Sequence, residues 1–122
     1  MKTLGFVDVC GQDWRVVECT GEEMEAQGHP NAVGLCSDGE CQIYLLDACR
    51  KDRKDTFFHE YMHAVLRSSG ALYGLLTSAG VPFLGDKSDA IEETFIRVLT
   101  PHLLKAFGPP KIKKCPSSTK TS

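Results

Sequence analysis

One segment, His59-Glu60-Tyr61-Met62-His63, combines the side chains that bind a metal and move a proton, at a spacing a helix can use. Histidines four apart stand one turn apart, about 40° round an α-helix, so their imidazoles can converge on one ion. Neutral imidazole is a strong zinc ligand, and a tetrahedral site then has two further positions to fill. Glu60 points about 100° away from His59. That is too far round to join both histidines as a ligand, yet near enough to reach a water at the ion. The chemistry expected of this set is hydrolysis with Zn2+ as cofactor. The metal lowers the pKa of water, and Glu60 takes its proton as general base and returns a proton to the leaving amine.

A third protein ligand has to come from elsewhere in the chain. The continuation Gly-x-x-His of a metzincin is excluded, because Leu66 and Ser69 occupy those places. A later helical segment offers Asp89, Glu92 and Glu93. Its apolar stripe runs Phe95, Ile96, Leu99, Leu103, and one heptad back from Leu99 is Glu92. A carboxylate on a buried stripe is costly unless compensated, and a metal would compensate it. Glu92 is therefore the expected third ligand. Glu93, aligned with Arg97 and Thr100 on a polar edge, is the alternative. Tyr44, Tyr73 and His102 are available to stabilise an oxyanion, and nothing in their spacing selects one.

These residues need elements to hold them. Residues 4–19 read as a β-hairpin with Gly11-Gln12-Asp13 at its turn, and residues 32–46 as a second one turning at Ser37-Asp38-Gly39-Glu40. Thr20 to Asn31, acidic and holding Gly28 and Pro30, reads as a loop or a short irregular helix. From Asp52 the apolar period becomes helical, through Phe57, Phe58, Tyr61, Met62, Val65 and Leu66, and Gly70 is a natural terminator. Ala71 to Gly85 reads as a turn-rich connection with one short helical turn. A second long helix runs from about Asp86 to Phe107, with Pro101 implying a kink or break near Thr100. The fold class expected is α+β: a small N-terminal antiparallel sheet of hairpins, then the HExxH helix and a second long helix. Residues 1–108 form one domain, and residues 109–122 a disordered Lys/Ser/Thr/Pro tail.

Composition narrows the partners. The chain has 122 residues, 42% hydrophobic and 25% charged, with 14 basic against 16 acidic side chains. A net charge of −2 provides no basic face for phosphates, so nucleic acid is not an expected partner. The apolar runs fall far short of the roughly 20 residues that span a bilayer. Asp8 interrupts any export-signal core, which makes the expected location cytoplasmic and the six cysteines free thiols. A structural zinc knuckle from His29, Cys36, Cys41 and Cys49 is a rival to the HExxH site, with an irregular second pair.

The order of hairpins, HExxH helix and Glu-Glu-bearing helix resembles the small HExxH metallopeptidase-like proteins of phages and bacteria. These are minimal zincins akin to the ImmA/IrrE-type peptidases, with glutamate as third ligand. The resembling stretches are 11–17, 41–45 leading into 56–65, and 92–99. The larger ImmA/IrrE proteins carry Glu-x-x-Ala-Asn, whereas Phe95 and Ile96 follow Glu92 here. The resemblance implies zinc at His59, His63 and Glu92 (or Glu93), with Glu60 as general base. It also implies a sheet edge beside the active helix where an extended peptide could pair, and cytoplasm of a bacterial host if the chain is phage-encoded. The expected activity is that of a monomeric zinc metallopeptidase acting on a protein or peptide. The alternative is a catalytically inactive zinc-binding protein-interaction domain.

Overall fold

Alternation of apolar residues sets the sheet. In the computed structural model, which describes residues 1–80 and 86–116, strands β1 (Lys2–Val9) and β2 (Gln12–Cys19) form an antiparallel hairpin. Its turn is Cys10-Gly11, both at positive φ (52° and 88°), with Gln12 already paired to Val9. The turn thus lies one to two residues earlier than the sequence suggested. Strands β3 (Gly34–Ser37) and β4 (Gln42–Leu46) form the second antiparallel hairpin.

The two hairpins are joined by a parallel register of β2 with β4, giving the order β1-β2-β4-β3. The sheet is therefore mixed, where an antiparallel sheet was expected. Parallel neighbours require a crossover, and the Thr20–Asn31 stretch begins it. It forms helix α1 (Gly21–Ala26), capped by a reciprocal Thr20–Glu23 box. Val17, Cys19 and Tyr44 bury one face of the sheet around Met24 of α1. Val7, Val9, Trp14, Val16, Ile43 and Leu45 bury the other against Phe57 and Ala64.

Those last two residues belong to α2 (Arg53–Ser69), entered through a 3-10 segment, Asp47–Asp52. It ends at Gly70, whose φ of 68° closes the last turn by donating to Leu66 O. Helix α3 (Ala71–Ser78) replaces part of the expected turn-rich connection, and α4 (Asp86–Phe107) runs through Pro101 without a break. Leu66, Leu72, Leu76 and Ile96 knit the three helices together. No helix among the described residues is long and apolar enough to cross a membrane.

The expected disordered tail needs correction at its start. Lys113 exchanges both backbone hydrogen bonds with Phe6 of β1 (2.6 and 2.7 Å), so the chain straps back over the first strand. A Cβ on Gly5 would lie 2.4 Å from Lys113 O, so only glycine admits the strap. Residues 117–122 lie outside the described residues.

Candidate metal centre

Helix α2 presents His59 and His63 on the side away from the sheet, toward α4. Their rings lie 5.0 Å apart between centroids at 70° to each other. Glu93 of α4 reaches both: Oε1 lies 2.8 Å from His59 Nε2 and Oε2 lies 2.9 Å from His63 Nε2. One donor atom from each of the three residues falls within 4.8 Å of the others, and no other such group of three occurs among the described residues.

Glu92, the expected third ligand, is instead on the far side of His63. It is 1% exposed, and its Oε2 lies 2.6 Å from His63 Nδ1. Tyr73 donates to its other oxygen (2.8 Å) and Arg67 Nε to Oε2 (3.1 Å). The buried carboxylate that the stripe argument expected is present, and the side chains that meet it are an arginine, a tyrosine and an imidazole. The arrangement favours Glu93, the alternative, because a ligand has to face the open cavity. Asp89 is exposed and outside the group.

The contacts of His63 test whether a cation suits the site. Each ring nitrogen faces a carboxylate, Nδ1 toward Glu92 and Nε2 toward Glu93. If Nδ1–H donates to Glu92, the lone pair of Nε2 confronts a carboxylate oxygen, an arrangement that calls for a proton or a metal ion between them. An outer carboxylate fixing the tautomer of a ligating histidine is also how metal sites orient their imidazoles. The donor set fits zinc.

No family model, no curated protein and no solved structure matches the chain.

Glu60 lines a cavity of about 390 Å3 with His59, Glu93, Arg97, Asp55, Thr56 and Val33. Burial, reinforced by the charge of Glu93, pushes its carboxyl up to about 7, against the pull of His63 and Arg67. Burial also lowers His59, against the pull of Glu93. Burial would raise both Glu92 and Glu93, but their partners prevail and each lies below the ordinary carboxylate value. For Glu92 these are Tyr73, His63 and Arg67; for Glu93, Arg97 and the two histidines. Burial opposes the charge on Arg67, and Glu92 and Asp38 outweigh it, so the guanidinium stays ionised.

Edge strand β3 closes the other flank of Glu60. A Cβ on Gly34 would stand 2.7 Å from Thr56 Cγ2 and 3.0 Å from Glu60 Cγ, so glycine lets the strand lie against the helix at this point.

Of the residues that support the centre, Arg67 escaped the sequence reading, and Arg97 and Tyr73 were named there in other roles. Arg67, four after His63, continues the stripe of the motif histidines, a signal that was available. Arg97, four after Glu93, donates to it (3.2 Å). Tyr73 reaches Glu92 from α3, a helix the sequence did not resolve, and its hydroxyl is thereby engaged. Tyr44 donates to Glu40 (2.7 Å) and His102 is exposed, so neither serves the centre. The knuckle residues do not converge either: Cys36 and Cys41 each contact Asp38 (3.7 Å), and His29 is exposed. The side chain of Cys49 lies outside the described residues.

Proposed function

We propose that the chain is a zinc-dependent peptidase, a minimal zincin-like enzyme whose ligands are His59, His63 and Glu93. The observation that carries this reading is the convergence of His59, His63 and Glu93 beside a cavity that His59, Glu93 and Glu60 line. A zinc ion bound there would polarise a peptide carbonyl and acidify the attacking water. Glu60, one residue from His59 and turned into the same cavity, takes the proton from that water and passes it to the amine that leaves. Glu92 holds the ring of His63 through Nδ1, and Arg67 and Tyr73 hold Glu92. The outer edge of β3 gives an extended peptide backbone groups to pair with beside the cavity.

Elemental analysis of the purified chain tests the site. The expected result is one zinc per molecule, lost in His59→Ala. A metal-free chain that folds normally would make the cluster a structural ion network. Glu60→Gln separates catalysis from binding: it keeps the metal and lowers peptide hydrolysis by about 10²–10⁴-fold. Unchanged hydrolysis would remove Glu60 from the reaction, and zinc without hydrolysis in the unaltered chain would favour the inactive zinc-binding interaction domain.

A further inference from the structure

Hydrolysis of an amide needs more than a base. As water adds, the π pair of the carbonyl moves onto its oxygen, and donors aimed at that oxygen lower the barrier. The side chains first considered for this role are placed elsewhere. The hydroxyls of Tyr44 and Tyr73 are taken by Glu40 and Glu92, and His102 is exposed and does not line the cavity. Apart from the proposed ligands and Glu60, two of the described residues that line it carry N–H or O–H donors, Thr56 and Arg97. Thr56 stands one turn before Glu60, and a Cβ on Gly34 would meet both side chains, so Thr56 is on the base's own side. Arg97 enters from α4 instead.

The ion pair with Glu93 sets the place of Arg97. Its Nε donates to Glu93 Oε1 at 3.2 Å, and the same oxygen lies 2.8 Å from His59 Nε2. One carboxylate oxygen thus ties the guanidinium to the donor atoms of the centre. The side chain is 73% exposed, and among the described residues no hydrogen bond or ion pair takes up its two terminal nitrogens. Arg67, the other arginine near the centre, is committed to Glu92 and Asp38. A guanidinium stays ionised and presents its N–H donors in a fixed planar fork.

We propose that Arg97 is a catalytic residue whose terminal N–H groups hold the carbonyl oxygen of the bond being cut. The proposal rests on the peptidase reading. The water oxygen bonds to the carbonyl carbon, the π pair goes to the carbonyl oxygen, and one water proton goes to Glu60. When the pair returns, the C–N bond breaks and the nitrogen takes the proton from Glu60, so an acid and an amine leave. Arg97 gives up no proton. It meets a charge that grows only between these steps, so its contribution falls on the transition state rather than on substrate binding.

A cut sequence is obtained by incubating the zinc-loaded full chain with a complex peptide library. A peptide of that sequence is the substrate, and its phosphinate analogue, with an anionic tetrahedral phosphorus at the cut bond, probes binding without turnover. Arg97→Gln should lower kcat/KM about 10²–10³-fold, chiefly through kcat, and weaken phosphinate binding by a similar factor. Zinc affinity by chelator competition should stay within about threefold, because an exposed i,i+4 ion pair is worth little. Arg97→Lys, which keeps the charge, should fall between the two in both kcat and phosphinate binding. A role confined to holding Glu93 gives a different pattern: weaker zinc binding, with turnover restored by saturating zinc. That pattern overturns the proposal, as does unchanged kcat/KM or unchanged phosphinate binding in Arg97→Gln. Each of those results leaves the peptidase reading standing, whereas an unaltered chain that holds zinc and cuts nothing overturns both.

Discussion

On one side of α2, Phe57 and Ala64 close against Val7, Val9, Trp14, Val16, Ile43 and Leu45 of the sheet. On the other, His59, His63 and Arg67 meet Glu92 and Glu93 of α4. The first side is apolar and stabilises by removing surface from water. The second buries ionisable groups whose desolvation roughly cancels their attraction; apolar replacements of such groups are often neutral or stabilising by about 1–4 kcal/mol. On the α4 side stability comes from a separate apolar cluster, Leu66, Leu72, Leu76 and Ile96. The charged cluster contributes arrangement: it holds two rings and a carboxylate around one point.

The division is broken most severely from the apolar side. Phe57→Ala should cost about 3–5 kcal/mol, read as a lower urea midpoint, while zinc bound per folded molecule stays unchanged. A matching loss of zinc affinity would mean that the two sides are not separable.

A subtler break lies between adjacent glutamates. On the proposed coordination, Glu93→Gln removes a ligand and should weaken zinc binding more than about 100-fold, whereas Glu92→Gln removes an orienting partner and should weaken it about 10–100-fold. Chelator competition measures both. The reverse order would return Glu92 to the coordination sphere and Glu93 to support.

Much of this was legible in the residues, and the illegible part has a common cause. Local patterns announced both hairpins, the span of α2, its stop at Gly70 and the two histidines on one face. The parallel union of β2 with β4 was not legible, because it depends on how two finished hairpins dock and no local signal encodes docking. The proposed preference for Glu93 over Glu92 was not legible for a related reason. Helical periodicity says which carboxylate is buried, but not that Arg67 and Tyr73 wait on the other side of the interface. The tail was read from composition alone, which is blind to a single pair of hydrogen bonds with Phe6.

That strap supplies a third test, on the sheet side and remote from the centre. Gly5→Ala places a methyl 2.4 Å from Lys113 O, at a φ of 154° that L-residues rarely adopt. The expected cost is about 1–3 kcal/mol, with zinc affinity intact. If stability is unchanged, the strap contributes nothing to the sheet.

The mildest effect is expected where the two sides meet, at the β3–β4 turn. Asp38 takes Arg67 Nη1 at 3.4 Å and the thiol of Cys36 at 3.7 Å, so one carboxylate touches both the charged network and a residue packed on the apolar cluster. Burial, and then the charge of Asp38, pushes the Cys36 thiol up from 9.0 to about 12. The reactive form is the thiolate, so at pH 8 Cys36 should be alkylated about 10³-fold more slowly than its ordinary value of 9.0 allows. Cys10 and Cys115, both exposed, should be modified first. The sign of the linkage follows from the same shift. The folded chain holds this proton more tightly than the unfolded chain, so its contribution to stability is complete below pH 9.0 and is lost as the pH rises toward 12. Asp38→Asn removes the nearby negative charge and should speed alkylation of Cys36, though less than unfolding does. Peptide mass spectrometry over a time course resolves all three thiols. Equal rates for Cys36 and Cys10 in the folded protein would show that the turn opens freely, and that Asp38 does not tie the apolar side of α2 to the charged one.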